Sequence, residues 1–153
     1  MPVTIEPVPN LPDLVFDFDP STRIVHITCS EAAHIRTARH LHDLFDALHR
    51  QLSRCGPERI YLMIDLGKIV IDPALKPVYA KRAHETIRKY VHPRGVARYG
   101  FQITRVTVKA TFDNETTSAA NIFDTRHEAE EYIHSLILQS QETADSPVSD
   151  GVA

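Results

Sequence analysis

LMIDLGKIVIDPALKPVYAKRA, residues 62–83, is the stretch whose reading decides the fold. An apolar run ends in Asp65, a short loop follows, and Asp72 opens an apparent helix. A short, continuous apolar run of this kind reads as a strand buried on both faces, the usual state of strands in parallel sheets. The carboxyl end of such a strand, beside the positive end of the next helix, is where ligands and reacting groups gather. Asp65 and Asp72 therefore have two readings. They could form a carboxylate pair or a metal site. Alternatively, Asp72 is a helix N-cap with Pro73 as the first helical residue, and Asp65 accepts hydrogen bonds from the loop amides of residues 67–69. Pro77 has no N–H to donate, so either the helix begins near it or its first turn is irregular.

Upstream, LVFDFDPSTRIVHIT reads as a β-hairpin. Leu14, Phe16 and Phe18 alternate on one strand, Val25, Ile27 and Cys29 on the other, and Asp19-Pro20-Ser21-Thr22 makes the turn. Ser30 then caps an expected helix carrying Ala38, Leu41, Leu44, Phe45, Leu48 and Leu52 inward, and Gly56-Pro57 stops it. Downstream, Leu75, Val78, Tyr79, Ala83, Thr86, Ile87 and Tyr90 form the inner face of the second helix, which ends at His92-Pro93. A strand is expected at about residues 95–99 and a helix over 101–111, where Tyr99, Ile103, Val106 and Ala110 follow helical spacing. Asn121-Ile122-Phe123 gives a last short strand. Asp124 or Thr125 caps a final helix with Ala129, Tyr132, Ile133 and Leu136 inward.

This order is α/β: a mostly parallel sheet of four or five strands, an N-terminal β-hairpin and about four helices. Residues 1–13 read as a proline-rich arm, 14–138 as the domain, and 139–153 as a polar, disordered tail. The chain holds 153 residues with 42% apolar content, enough for one real core. No apolar run reaches the length of a membrane span and no secretory leader is evident, so a cytoplasmic location is expected. Cys29 and Cys55 read as small core residues in a reduced compartment.

Nine histidines raise the question of a metal. Four of them, His34, His40, His42 and His49, fall on the expected first helix without an i, i+4 pair. His42 and His49 would stand roughly 10 Å apart, too far to share an ion. No HExxH, GxSxG or P-loop motif occurs, so neither a metal, a cofactor nor an enzyme is expected.

Charge is distributed unevenly. The net charge is −3, yet residues 76–109 carry nine Lys and Arg against Glu85 alone, while residues 110–153 carry nine acids against Arg126 alone. On the second helix Lys81, Glu85 and Arg88 face away from the apolar stripe, and Arg94 and Arg98 flank the next strand. The strip fits an acidic protein partner or, alternatively, an anionic lipid surface. Nucleic acid fits less well, because aromatic residues barely interleave with the bases. The competing reading is a solvated helix face paired with Glu128, Glu130 and Glu131 of the last helix.

Taken together, LMIDLGKIVIDPAL and IFDTRHEAEEYIHSL resemble the STAS domain family (sulfate transporter and anti-sigma factor antagonist domains), within the broader SpoIIAA-like group. The resemblance covers most of residues 14–138. It places Asp65 at the strand end, Asp72 at the helix start and residues 125–129 at the turn into the closing helix. It implies a SpoIIAA-like sandwich and a non-enzymatic regulatory role. Switched members carry Ser or Thr after the second aspartate; here Pro73 and Ala74 stand there, so phosphate cannot act at that point. The expectation is a domain that binds a protein partner through residues 65–77 and the following helix, with Asp65, Asp72, Lys76, Lys81 and Arg88 as contact residues. The alternative implied by relatives of this fold is a small-ligand or lipid-binding domain, with an apolar pocket near Tyr79, Tyr90 and Phe101.

Overall fold

The computed structural model describes residues 2–4, 13–100 and 121–145. Its main sheet has six strands, in chain order β1 (Pro2–Thr4), β2 (Leu14–Asp19), β3 (Ile24–Cys29), β5 (Ile60–Asp65), β7 (Val91–Tyr99) and β8 (Ile122–Phe123). The hairpin forms with Leu14 opposite Cys29 and Asp19 opposite Ile24. Asp19 organises its turn, accepting from the Ser21 amide at 2.9 Å and from the Ser21 hydroxyl at 2.7 Å. From β3 onward every pairing in this sheet is parallel.

Parallel neighbours require long crossovers, and two are visible: α1 (Ala38–Leu52) between β3 and β5, and α2 (Lys76–Tyr90) between β5 and β7. Two crossovers of the same hand, advancing in one direction along a sheet, set their helices on one face. The core shows this: Leu62 and Val96 pack with Leu41, Phe45 and Leu48 of α1 and Tyr79 and Ala83 of α2. Their strand neighbours Tyr61, Met63 and Ala97 point the other way, onto Ala129 and Ile133 of α3 (Arg126–Asp145). The result is three layers, helix–sheet–helix.

Several expectations need correction. The helix after β3 does not start at Ser30. Ala33–Ile35 is a strand, β4, which pairs in parallel with β6 (Ile69–Ile71) as a separate two-stranded sheet. The true cap is Thr37, whose hydroxyl accepts from the His40 amide at 3.2 Å. His34 is therefore on a strand, and Ala38 is exposed while Ala47 is buried. Pro2–Thr4, expected within a proline-rich arm, adds antiparallel to β2. The closing helix continues to Asp145, seven residues past the expected domain end at 138. It opens with Thr125 as N-cap: the Glu128 amide donates to Thr125 Oγ1 at 3.2 Å, and the Thr125 hydroxyl donates to the Glu128 carboxylate at 3.1 Å. The expected helix at residues 101–111 lies outside the described residues, which contain three α-helices.

β7 begins at Val91, directly after α2, because Arg59 terminates that helix. Its guanidinium donates to the carbonyls of Arg88 and Val91 at 2.8 and 2.9 Å. The pairing then jumps from Ile60–Val91 to Leu62–Val96, so residues 92–95 bulge from the ladder around Arg94, at φ 61°.

The loop that opens the decisive segment leans on the end of β7. Leu66 N–H donates to the Tyr99 carbonyl at 2.7 Å, and Gly67 N–H to Asp65 Oδ1 at 2.8 Å. This close approach needs Gly100, at φ 120°, where a Cβ would sit 2.5 Å from the Gly67 nitrogen. Gly100→Ala is expected to destabilise the fold by at least about 1–3 kcal/mol, the usual cost of a strained backbone position. Urea denaturation would measure it, and an unchanged midpoint would show that the contact carries no stability.

Candidate functional site

Both aspartates of the decisive segment serve the backbone. Asp65 accepts from Gly67 as described, and Asp72 Oδ1 accepts from the Ala74 amide at 2.9 Å. Asp72 thus caps a 3₁₀ turn over Pro73–Leu75 that leads into α2 at Lys76, so the irregular first turn around Pro77 is realised. Asp72 is tied further by its own amide, which donates to the Ile35 carbonyl at 2.9 Å. Both carboxylates are half-buried. Among the described residues, no three His, Cys, Asp or Glu side chains gather as a metal ion would require.

Lys81 and Arg88 are exposed and seven residues apart, so two helical turns bring them onto one outward stripe of α2. Glu85 lies between them and Lys89 at the edge, its ammonium 5.2 Å from the Tyr90 ring centre. Lys76 does not join this stripe. Five residues before Lys81 it stands about 140° around the helix and is half-buried. Among the described residues, Lys76, Lys81 and Arg88 form no ion pair.

The acids of the last helix do not neutralise this strip. α2 carries five cations and one acid, a net +4, and α3 carries one cation and five acids, a net −4, on opposite faces of the sheet. α3 pairs within itself instead, Arg126 with Glu130 at 2.7 Å and His127 with Glu131 at 2.9 Å. Arg82 is the α2 cation that reaches across to α1. It donates to Asp46 of α1 at 2.7 Å, lies 3.5 Å from Glu85 and approaches His42 at 2.9 Å. That hydrogen bond holds the Asp46 carboxyl below its ordinary range.

Arg98 overturns its assignment to the strip. It is 2% exposed, pointing from β7 toward the α1–α2 layer. There it lines a cavity of about 90 Å³, bounded by the sheet (Ile27, Leu62), by β4 and β6 (Ile35, Ile71), by α1 (Leu41, Phe45) and by α2 (Ala83, Thr86). Tyr79 lines it, as the pocket reading requires; Tyr90 does not, and Phe101 lies outside the described residues. The signal for Arg98 was present in the sequence: on β7 it shares a face with Val96, two residues earlier.

On the opposite face His26 and Tyr99 share a buried hydrogen bond of 2.6 Å. Since β5 lies between β3 and β7, this bond bridges two strand spacings, about 10 Å. Burial, then Arg126, push the His26 pKa below its ordinary 6.5, against the opposing pull of Asp65, Asp17 and Glu130. Burial, reinforced by Asp65, pushes Tyr99 up to about 12. Burial also lowers His49, whose Nε2 meets the Thr86 hydroxyl at 2.5 Å, and His92, which stacks on Tyr61 at 4.4 Å.

No family model, curated protein or solved structure matches the chain. Among the described residues, no helix is long and apolar enough to cross a membrane.

The depressed histidines give stability a pH dependence. A histidine held neutral by burial contributes in full above 6.5, its unfolded value, and its contribution is lost as pH falls below that through the lowered folded value. Thermal stability is expected to fall steadily from pH 6.5 to 5, with His26 contributing at most about 1.4 kcal/mol per pH unit. His26→Gln should flatten that slope. A slope identical in the variant would remove His26 from the account.

Proposed function

We propose that the chain is a STAS-like, SpoIIAA-like regulatory domain without catalytic chemistry, which docks a protein partner of acidic surface on the outer stripe of α2. The observation that carries this reading is the isolation of Lys81 and Arg88. They are exposed, share one face, have no carboxylate partner among the described residues, and are separated by the sheet from the acids of α3. The segment 65–77 acts as the rigid base of this surface. Asp65 and Asp72 fix the loop and the helix start, so the cations project from a framed element. Lys76 contributes to the field near the loop rather than to the stripe itself. The order of strands and helices among the described residues supports the STAS-like assignment.

Exposed charges act over roughly 10 Å near 0.1 M salt and roughly 3 Å at 1 M. Affinity capture of the partner from the native lysate is expected to succeed at the lower salt and fail at the higher. The double reversal Lys81→Glu with Arg88→Glu should abolish capture while leaving the circular dichroism spectrum unchanged. Capture of the same protein by wild type and double variant alike, or at both salt levels, would refute this docking surface.

A further inference from the structure

We propose that the cavity between the sheet and the α1–α2 layer is a binding site for a small, neutral, apolar molecule of about three or four carbon atoms. This site is separate from the docking stripe and does not depend on it. Its wall is built from the inward side of the sheet, where Ile27 and Leu62 stand, and from the facing side chains of α1 and α2. The rings of Phe45 and Tyr79, one from each helix, meet at 6.0 Å with a 59° tilt, and both line the space.

The polar groups of the wall make the ligand neutral. Among the described lining residues the polar side chains are Tyr79, Thr86 and Arg98. The Thr86 hydroxyl donates to the Arg82 carbonyl at 2.9 Å, which leaves its oxygen to accept from His49 Nε2. Tyr79 and Arg98 likewise have partners of their own. A guest carrying a hydroxyl or a charge would bury that group without a partner, at the full cost of stripping its water. Water meets the same obstacle, because a buried water needs two to four polar partners.

An apolar guest meets none. Side chains that face a gap lack dispersion partners on that side, and a hydrocarbon supplies them without disturbing a hydrogen bond. Volume sets its size. A dry cavity of roughly 150 Å³, lined by Leu, Ile and Phe, accommodates the six carbons of benzene. By that ratio the 90 Å³ here takes about three or four carbons. Butane fits, whereas hexane exceeds the space.

The test is titration of the ¹⁵N-labelled full chain in sealed tubes with butane, hexane and propan-1-ol, following the amides of Ile35, Ile71 and Thr86. Propan-1-ol matches butane in heavy atoms and differs by one hydroxyl. Saturable shifts with butane are expected, at least tenfold tighter than with propan-1-ol and tighter than with hexane. Ala83→Leu, which enlarges a side chain of the wall, should weaken butane at least tenfold with an unchanged circular dichroism spectrum. The Lys81→Glu, Arg88→Glu protein should bind butane as wild type does, whether or not it captures a partner. Three results from the native chain alone would overturn the site, whatever the variants do: no saturable shift, an affinity for propan-1-ol within tenfold of that for butane, or hexane binding no weaker than butane. Undiminished butane binding by a folded Ala83→Leu protein would overturn it as well, placing the hydrocarbon elsewhere on the molecule.

Discussion

The arrangement depends on β5, whose residues Ile60, Tyr61, Leu62 and Met63 are all buried. A strand apolar on both faces cannot be satisfied by one covering layer. Successive side chains point to opposite sides, so Leu62 demands α1 and α2 while Tyr61 and Met63 demand α3. Once both faces are covered, the outward faces of the helices and the loops between them are the surfaces left for recognition. The separation of α2 from α3 is thus a consequence of the composition of one strand.

The same layering explains why two polar pairs that tie elements together differ. His26 and Tyr99 satisfy each other beneath α3 and tie β3 to β7 across β5. Arg82, nearer the surface, ties α2 to α1 through Asp46 and covers the Phe45 ring at 5.4 Å. One pair holds strands in register, and the other holds helices side by side. Arg23, at φ 62°, plays a third such part, donating from the end of the hairpin turn to the carbonyls of Cys55 and Glu58 and so closing the loop that leads into β5.

Much of this was legible in the chain. The hairpin, β5, the body of α1 and α2 and the inner face of α3 follow from period two or period 3.6 in segments long enough to show it. β4 and β6 were not legible, since three residues cannot display an alternation. Residues 31–37 favour a helix locally, and only the pairing of Ala33–Ile35 with Ile69–Ile71 overrides that preference. Asp72 was correctly read as a cap because capping is local chemistry. Arg98 was misplaced because its charge outweighed its position, although the alternation with Val96 set it inward. Lys76 was grouped with Lys81 by nearness in sequence, where five residues of helix turn it away. The cavity had no local signature, being a property of eight strands and helices meeting.

The opposed charges of α2 and α3 set a positive helix and a negative helix on the two faces of the sheet. A body of this kind rotates in the field of a charged neighbour before the two surfaces touch. Such preorientation shortens the search for the productive approach and leaves the lifetime of the complex to the close contacts made afterwards. In the docking proposed for this surface, rim charges such as Lys81 and Arg88 would govern how quickly a complex forms more than how long it persists.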